Sequence, residues 1–337
     1  MDILRGEFGK RFHATRAGEV MVSLLLTLLA LLAVSPHASA GSVALGAYVP
    51  RGDENPEVVS SFGNEVGWSP LIVNSFKTFD QAPIYYPQLN GIHDEGAVPM
   101  ITWEPQTSSE GRIGLNRIAA GAYDGYIGSA ARDAAAWGKP LMVRFGQEMN
   151  GSWYPWSPAS GNSAHSYVHA WRHVVKLFRR EGADNVKWVW TPYVSTDGDL
   201  PLAAFYPGDA YVDWAGVDGY NWGGSFQWKS FHELFARSYH QLLGITSRPL
   251  MIGEVGCGEG GGNKAAWIRQ MLRHDIPRMG HVRAVLWFDD TDEKGDLRVD
   301  TSGAALSSLK RWSALPFYTS TRKLLLRTPE RLSPAAR

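Results

Sequence analysis

Three consecutive stretches decide the fold: LMVRFG at 141–146, HSYVHAWRHVVKLFRRE at 165–181 and VKWVWT at 186–191. In the middle one, Tyr167, Trp171, Val174, Val175 and Phe178, with Val168 beside them, lay one apolar stripe along a helix. The flanking stretches are short, rich in β-branched and aromatic residues, and apolar on both faces, so they predict strands covered on both sides. A strand, an amphipathic helix and another such strand make the unit of a parallel sheet wrapped by helices.

The same alternation continues in both directions. Strands are predicted before it at 44–49 (ALGAYV), 71–76 (LIVNSF) and 98–103 (VPMITW), and after it at 214–220 (WAGVDGY), 250–255 (LMIGEV) and 282–288 (VRAVLWF). A second helical stripe runs through Phe231, Leu234, Phe235, Tyr239 and Leu242. Eight such units predict one (β/α)8 barrel over residues 41–318, with an open doubly wound sheet as the alternative. From residue 319 the chain turns basic and Pro-punctuated, which reads as a tail outside the barrel (319–337).

Composition narrows the function. Lys plus Arg and Asp plus Glu number 33 each, so the net charge is zero and no basic excess points to nucleic acid. One cysteine excludes an internal disulfide framework and a multi-cysteine metal cage. The 14 Trp exceed what a core of this size needs and suit flat ligands such as sugars. At the start, Arg5, Lys10, Arg11 and Arg16 precede an apolar run at 21–34 and a small-x-small site at Ala38-Ser39-Ala40. That run falls short of the roughly 20 residues of a membrane span. Residues 1–40 are therefore expected to be an export signal cleaved near Ala40, leaving a secreted protein with no stable membrane association once processed; an uncleaved signal anchor is the alternative.

A barrel places its chemistry where strands end. The fourth strand runs into RFGQEMNG (144–151) and the seventh into GEVG (253–256), which sets Glu148 and Glu254 on opposite sides of the mouth. Two opposed carboxyls suit acetal hydrolysis: one holds a proton for the leaving oxygen while the other stays ionised to attack. Each alone could equally be an ion-pair partner.

With these residues in view, the chain resembles glycoside hydrolase family 26, retaining β-glycanases of the (β/α)8 clan. The family's R-x-x-H-E-M-N-G-x-W motif stands here as Arg144-Phe145-Gly146-Gln147-Glu148-Met149-Asn150-Gly151-Ser152-Trp153. The nucleophile motif stands as Glu254-Val255-Gly256, and YPGDAYVDWAGVDGYNW (206–222) is similar to the sixth-strand signature. The resemblance implies Glu148 as acid/base, Glu254 as nucleophile and Tyr220 as a contact of the nucleophile. It implies Trp287 as the platform under the sugar at the cleavage point, with Trp153, Trp156 and Trp222 lining neighbouring subsites. Arg144, Gln147, Asn150, Trp190 and Trp103 complete the expected substrate-binding set. It also implies a monomer acting on a polysaccharide without cofactor or metal, β-1,4-mannan first, then mixed-linkage β-glucan or an exopolysaccharide. The rival class is a catalytically silent sugar-binding barrel. Gln147 in place of histidine and Glu104-Pro105 after Trp103 both depart from the mannan-cleaving pattern.

Two other motifs compete. Residues 256–261 (GCGEGG) match G-x-G-x-x-G after a strand, the dinucleotide fingerprint, but Glu259 would face the pyrophosphate. The acidic run 289–296 (DDTDEKGD) resembles a calcium loop, yet Lys294 falls where an EF-hand needs an oxygen ligand and Thr301 where it needs a bidentate glutamate. Cys257 reads as an idle thiol, having no histidine beside it in sequence.

Overall fold

Strand β1 (Val43–Tyr48) is bonded on both edges, to β2 (Ile72–Thr78) on one side and to β8 (Val282–Phe288) on the other, and this closes a ring. The ring runs on through β3 (Val98–Glu104), β4 (Leu141–Phe145), β5 (Val186–Trp190), β6 (Trp214–Asn221) and β7 (Leu250–Cys257), every pair parallel. The eight predicted strands are all present, in the closed (β/α)8 arrangement. This computed structural model describes residues 42–109, 111–319 and Leu325. The predicted export segment lies outside the described residues.

Helices alternate with the strands because their sequences carry both the stripe and the stops. Helix α1 (Pro56–Val66) begins at Asn55, whose side chain accepts from the Glu57 backbone N–H, and ends at Gly67 in the left-handed region. Between β4 and β5 lies α2 (Ala164–Arg180), opened by a Ser163/Ser166 capping box. Between β6 and β7 lies α3 (Phe231–Ile245), opened by the Ser230/Glu233 box. The predicted stripe of α2 is buried in full, from Tyr167 to Phe178.

Two apolar layers separate by strand parity. Ala44, Ile72, Met100, Met142, Trp214, Met251, Ala284 and Leu286 form the inner plug of the barrel floor. Their neighbours in sequence, such as Leu45, Ile101, Val285 and Trp287, point outward into the larger core under the helices. The predicted tail is partly engaged: Tyr318–Thr319 pairs with β1 as a short parallel strand, and Leu325 is buried in the inner cluster. The remaining residues of that segment lie outside the described set.

Candidate active site

Above the apolar plug the inward positions turn polar. Arg144, fully buried, stands on β4 and donates to Thr102 Oγ1 (2.8 Å), to Asp218 Oδ2 (3.0 Å) and to Glu254 Oε1. One guanidinium thereby ties β3, β4, β6 and β7 together beneath the mouth. A buried cation is tolerated here because two carboxylates surround it.

Glu254 reaches this network through an irregularity in β7. Met251 faces inward, so regular alternation would turn Glu254 outward. Instead the β6–β7 register jumps from Val217↔Ile252 to Asp218↔Glu254, leaving Gly253 without a partner. Only glycine fits that bulge, since a Cβ there would stand 2.4 Å from Asp218 Oδ1 and 2.9 Å from Thr191 Cγ2. The bulge swings Glu254 into the barrel, where the Tyr220 hydroxyl donates to its Oε2.

Glu148 follows β4 in a left-handed backbone conformation, φ +51°, two residues after Gly146 at φ +54°. Such a conformation costs energy in a side-chain-bearing residue, and strain of this kind clusters at active sites and ligand clamps. Its backbone N–H donates to Thr191 O (2.8 Å), which holds the turn, and its Oε2 accepts from the Trp153 indole N–H (2.8 Å).

The two glutamates are 5% exposed and face one cavity of about 380 Å³. Burial pushes both carboxyls up. For Glu148 the neighbouring charges of Glu254 and Asp218 push further, well above the ordinary range. For Glu254 the guanidinium of Arg144 opposes burial, through its charge and its hydrogen bond. The surrounding charges thus push Glu148 further toward its protonated form, while Arg144 favours the ionised form of Glu254.

The cavity wall brings together five of the expected residues: Glu148, Glu254, Tyr220, Trp153 and Trp222. The other seven lie elsewhere, for identifiable reasons. Trp287 shares the outward parity of Val285 and is 3% exposed, so the next residue, Phe288, is the aromatic at the mouth. Trp103 and Trp190 likewise point into the outer core, the former bonded to the Tyr126 hydroxyl at 3.2 Å. Trp156 lies behind the wall, stacked on Tyr154 at 4.3 Å and donating to Gln147 O. Asn150 clamps the backbone of Tyr193 from both sides, at 2.9 and 2.8 Å. Gln147 is buried and donates to Glu104 Oε1 at 2.8 Å, and Arg144 lies beneath the floor.

The sequence reading missed other wall residues. Tyr48, Phe76 and Glu104 occupy the inward positions at the ends of β1, β2 and β3, where parity counted from the plug would have found them. Tyr154 and Tyr193 come from the loops after β4 and β5. Asp292 and Lys294 come from a hairpin after β8, Thr291–Asp292 paired with Gly295–Asp296, inside the acidic run singled out above for its likeness to a calcium loop. The Lys294 ammonium lies over the Trp222 ring at 5.1 Å and the Trp153 ring at 5.8 Å.

The competing motifs find structural uses. Gly258 and Gly260 press against the backbone of residues 221–224, with Gly258 N–H donating to Asn221 O and Gly224 N–H to Gly260 O. That glycine loop is a backbone-to-backbone seam, and Glu259 accepts from Thr301 Oγ1. In the acidic run, Asp290, Asp292 and Asp296 each accept from a nearby backbone N–H, and Asp296 also pairs with Arg298. Cys257 is buried, and its thiol is pushed up to about 12. Among the described residues no group of three or more His, Cys, Asp or Glu is arranged to hold a metal ion. No described helix is long and apolar enough to cross a membrane.

Comparison with known proteins agrees with this fold. Residues 123–246 match the model of glycosyl hydrolase family 26, a span that includes Glu148 and Tyr220 but stops short of Glu254. Endoglucanase H of Acetivibrio thermocellus is 34% identical over 301 residues, covering 86% of this chain and 32% of that protein. Mannan endo-1,4-beta-mannosidase A and B of Caldalkalibacillus mannanilyticus is 33% identical over 125 residues, covering 35% of this chain and 22% of that protein. The chain thus spans a third or less of these relatives' own length. The fold is that of a solved Cellulomonas fimi endo-beta-1,4-mannanase, at TM-score 0.67 and 19% identity over 85% of this chain and 74% of that one. With the motifs around Glu148 and Glu254 seated at one barrel mouth, the chain belongs to glycosyl hydrolase family 26.

Proposed function

We propose that this chain is an exported endo-β-glycanase that cleaves with retention and acts on a β-glucan backbone. The observation that carries the reading is the asymmetry between two carboxyls in one cavity. Glu254 is held by Arg144 and Tyr220, which favour its ionised form. Among the described residues Glu148 accepts a side-chain hydrogen bond from the Trp153 indole alone and is the better proton carrier. In the first step Glu254 attacks the anomeric carbon while Glu148 protonates the departing glycosidic oxygen. In the second, ionised Glu148 takes a proton from water, which displaces Glu254 and restores the starting state. Trp153, Trp222 and Phe288 offer apolar faces for the sugar rings.

Glucan takes the lead because similarity to Endoglucanase H runs along 86% of the chain, while similarity to the Caldalkalibacillus mannosidase covers 35%. Gln147 in place of the family histidine, and Glu104 beside it, support the same choice. β-1,4-mannan is the second reading, favoured by mannosidase relatives that are 33% and 27% identical, each over 125 residues. Export rests on the basic, apolar and small-x-small order of residues 1–40.

A panel of mixed-linkage β-glucan, β-mannan and β-xylan tests the substrate, with proton NMR reading the anomer first released. Glu148→Ala should keep its first step on a dinitrophenyl glycoside and be rescued by azide to a β-glycosyl azide, whereas Glu254→Ala should form no such product. Release of the inverted anomer, or identical responses of the two variants, rejects the assignment. Binding without any hydrolysis would leave the silent sugar-binding barrel.

A further inference from the structure

Glu104 ends β3 on its inward face, at the wall of the cavity that holds Glu148 and Glu254. Neither step above uses it. Each of its oxygens accepts from a neutral side-chain amide: Gln147 Nε2 reaches Oε1 at 2.8 Å and Gln106 Nε2 reaches Oε2 at 3.1 Å. The buried cation below, Arg144, is committed to Asp218 and Glu254, and no ion pair among the described residues includes Glu104. A buried carboxyl with no counter-ion is costly to fold around. Burial pushes this one up and the charge of Glu254 adds to it, while the two amides and, last, the charge of Arg144 act against that. Groups kept at such a cost in a cleft are candidates for ligand contact.

The donors also fix what the group can do. A carboxylate oxygen offers two lone-pair directions, and one amide on each leaves one free on each. A sugar ring presents adjacent hydroxyl donors at about that spacing. We propose that Glu104 is a sugar-reading carboxylate whose two oxygens accept from two hydroxyls of the ring seated beside the cleaved bond, with Gln147 and Gln106 as its positioning residues. The ligand class follows: a neutral pyranose with both hydroxyls free. A deoxygenated position leaves a buried acceptor unpaired, an O-acetyl sets oxygen against oxygen, and a uronate adds a like charge. The inference rests on the glycanase reading above and deepens it.

The competing role is structural, with Glu104 merely anchoring Gln147 and the turn that carries Glu148. Glu104→Gln separates the two. The new amide keeps the size, and a turned Gln147 amide can present its oxygen to it in place of the N–H that now reaches Glu104 Oε1. Wild type, Glu104→Gln and Glu104→Ala are assayed on whichever polymer the wild type cleaves. The matching tetraose and its monodeoxy derivatives are titrated by calorimetry into Glu148→Gln, with and without Glu104→Gln. Expected for Glu104→Gln are a kcat/KM lower by about 10- to 150-fold, with weaker tetraose binding and a Tm unchanged or raised. One or two deoxy positions should weaken binding to Glu148→Gln and make no further difference once Glu104 is Gln. Wild-type kcat/KM in Glu104→Gln, or a lowered Tm with all deoxy sugars affected alike, overturns the inference while leaving the glycanase reading intact. A wild type that neither binds nor cleaves any β-glycan overturns both.

Discussion

The Trp153 indole N–H donates to Glu148 Oε2 over 2.8 Å, so an aromatic wall residue also holds the proposed acid. A sugar stacked on Trp153 would rest on the ring that orients the proton donor. The bond favours ionised Glu148, against a burial that favours the protonated form. Trp153→Phe keeps a flat face and removes the donor. Glu148 should then hold its proton to higher pH, and because a general acid must be protonated, the alkaline limb of the kcat/KM profile should move upward. The loss at the optimum should be about 2- to 10-fold, that of one modest hydrogen bond. An unmoved alkaline limb would show that the indole tunes nothing.

Tyr220 acts on the other carboxyl. Its hydroxyl donates to Glu254 Oε2, and its ring is wedged between Trp222 at 4.7 Å and Phe288 at 5.5 Å. Tyr220→Phe deletes one oxygen from a packed ring, so unfolding should be little affected. Without the donor, ionised Glu254 is less favoured and takes up a proton at higher pH, so the acidic limb should shift upward. A lost bond to a charged group is worth about 1.5–3 kcal/mol, or roughly 10- to 150-fold in kcat. If the Tm falls while the rate per folded molecule and its acidic limb stay put, the tyrosine is only a packing element.

Gly253 is the point where backbone geometry sets the chemistry. A methyl group added there would stand 2.4 Å from Asp218 Oδ1 and 3.4 Å from Arg144 Nη1. Gly253→Ala should force apart the buried Arg144–Asp218–Glu254 network at a cost of about 1–3 kcal/mol, measured by urea unfolding. It should also lower kcat, because Glu254 loses its placement. A variant with wild-type stability and rate would mean that the bulge is not needed to aim the nucleophile.

The same bulge explains how far the sequence could be read. Strand positions were legible because buried parallel strands are short apolar runs between helical stripes, as at 141–146 and 282–288. Glu148 and Glu254 stood out as carboxyls at strand ends. The direction of each side chain was less legible. Met251 inward would have predicted Glu254 outward, and only the skipped Gly253 reverses it. For Trp287, alternation alone would have sufficed, since Ala284 and Leu286 face inward and Phe288 must follow them. Trp156 and the hairpin bearing Lys294 depend on how loops cross the mouth, which no periodicity records.

Phe288 and Trp287 give that parity a direct test. Phe288 stacks on Tyr48 at 4.7 Å and lines the cavity, while Trp287 lies in the outer core with the Lys264 ammonium 5.9 Å from its ring centre. Trp287→Phe should lower stability by about 0.5–3 kcal/mol, the usual range for a single core change. The loss should lie toward the lower end, because the indole N–H has no hydrogen-bond partner among the described residues to forfeit. The kcat/KM of the folded enzyme should hold. Phe288→Ala should do the opposite: a sugar contact is lost, raising KM by roughly tenfold for about 1.4 kcal/mol of apolar contact, with a smaller change in Tm because the ring already borders water. Measuring KM alongside thermal unfolding for both variants decides between the two positions. A kinetic defect confined to Trp287→Phe would mean that the platform lies at Trp287 after all and that β8 carries the opposite face toward the substrate.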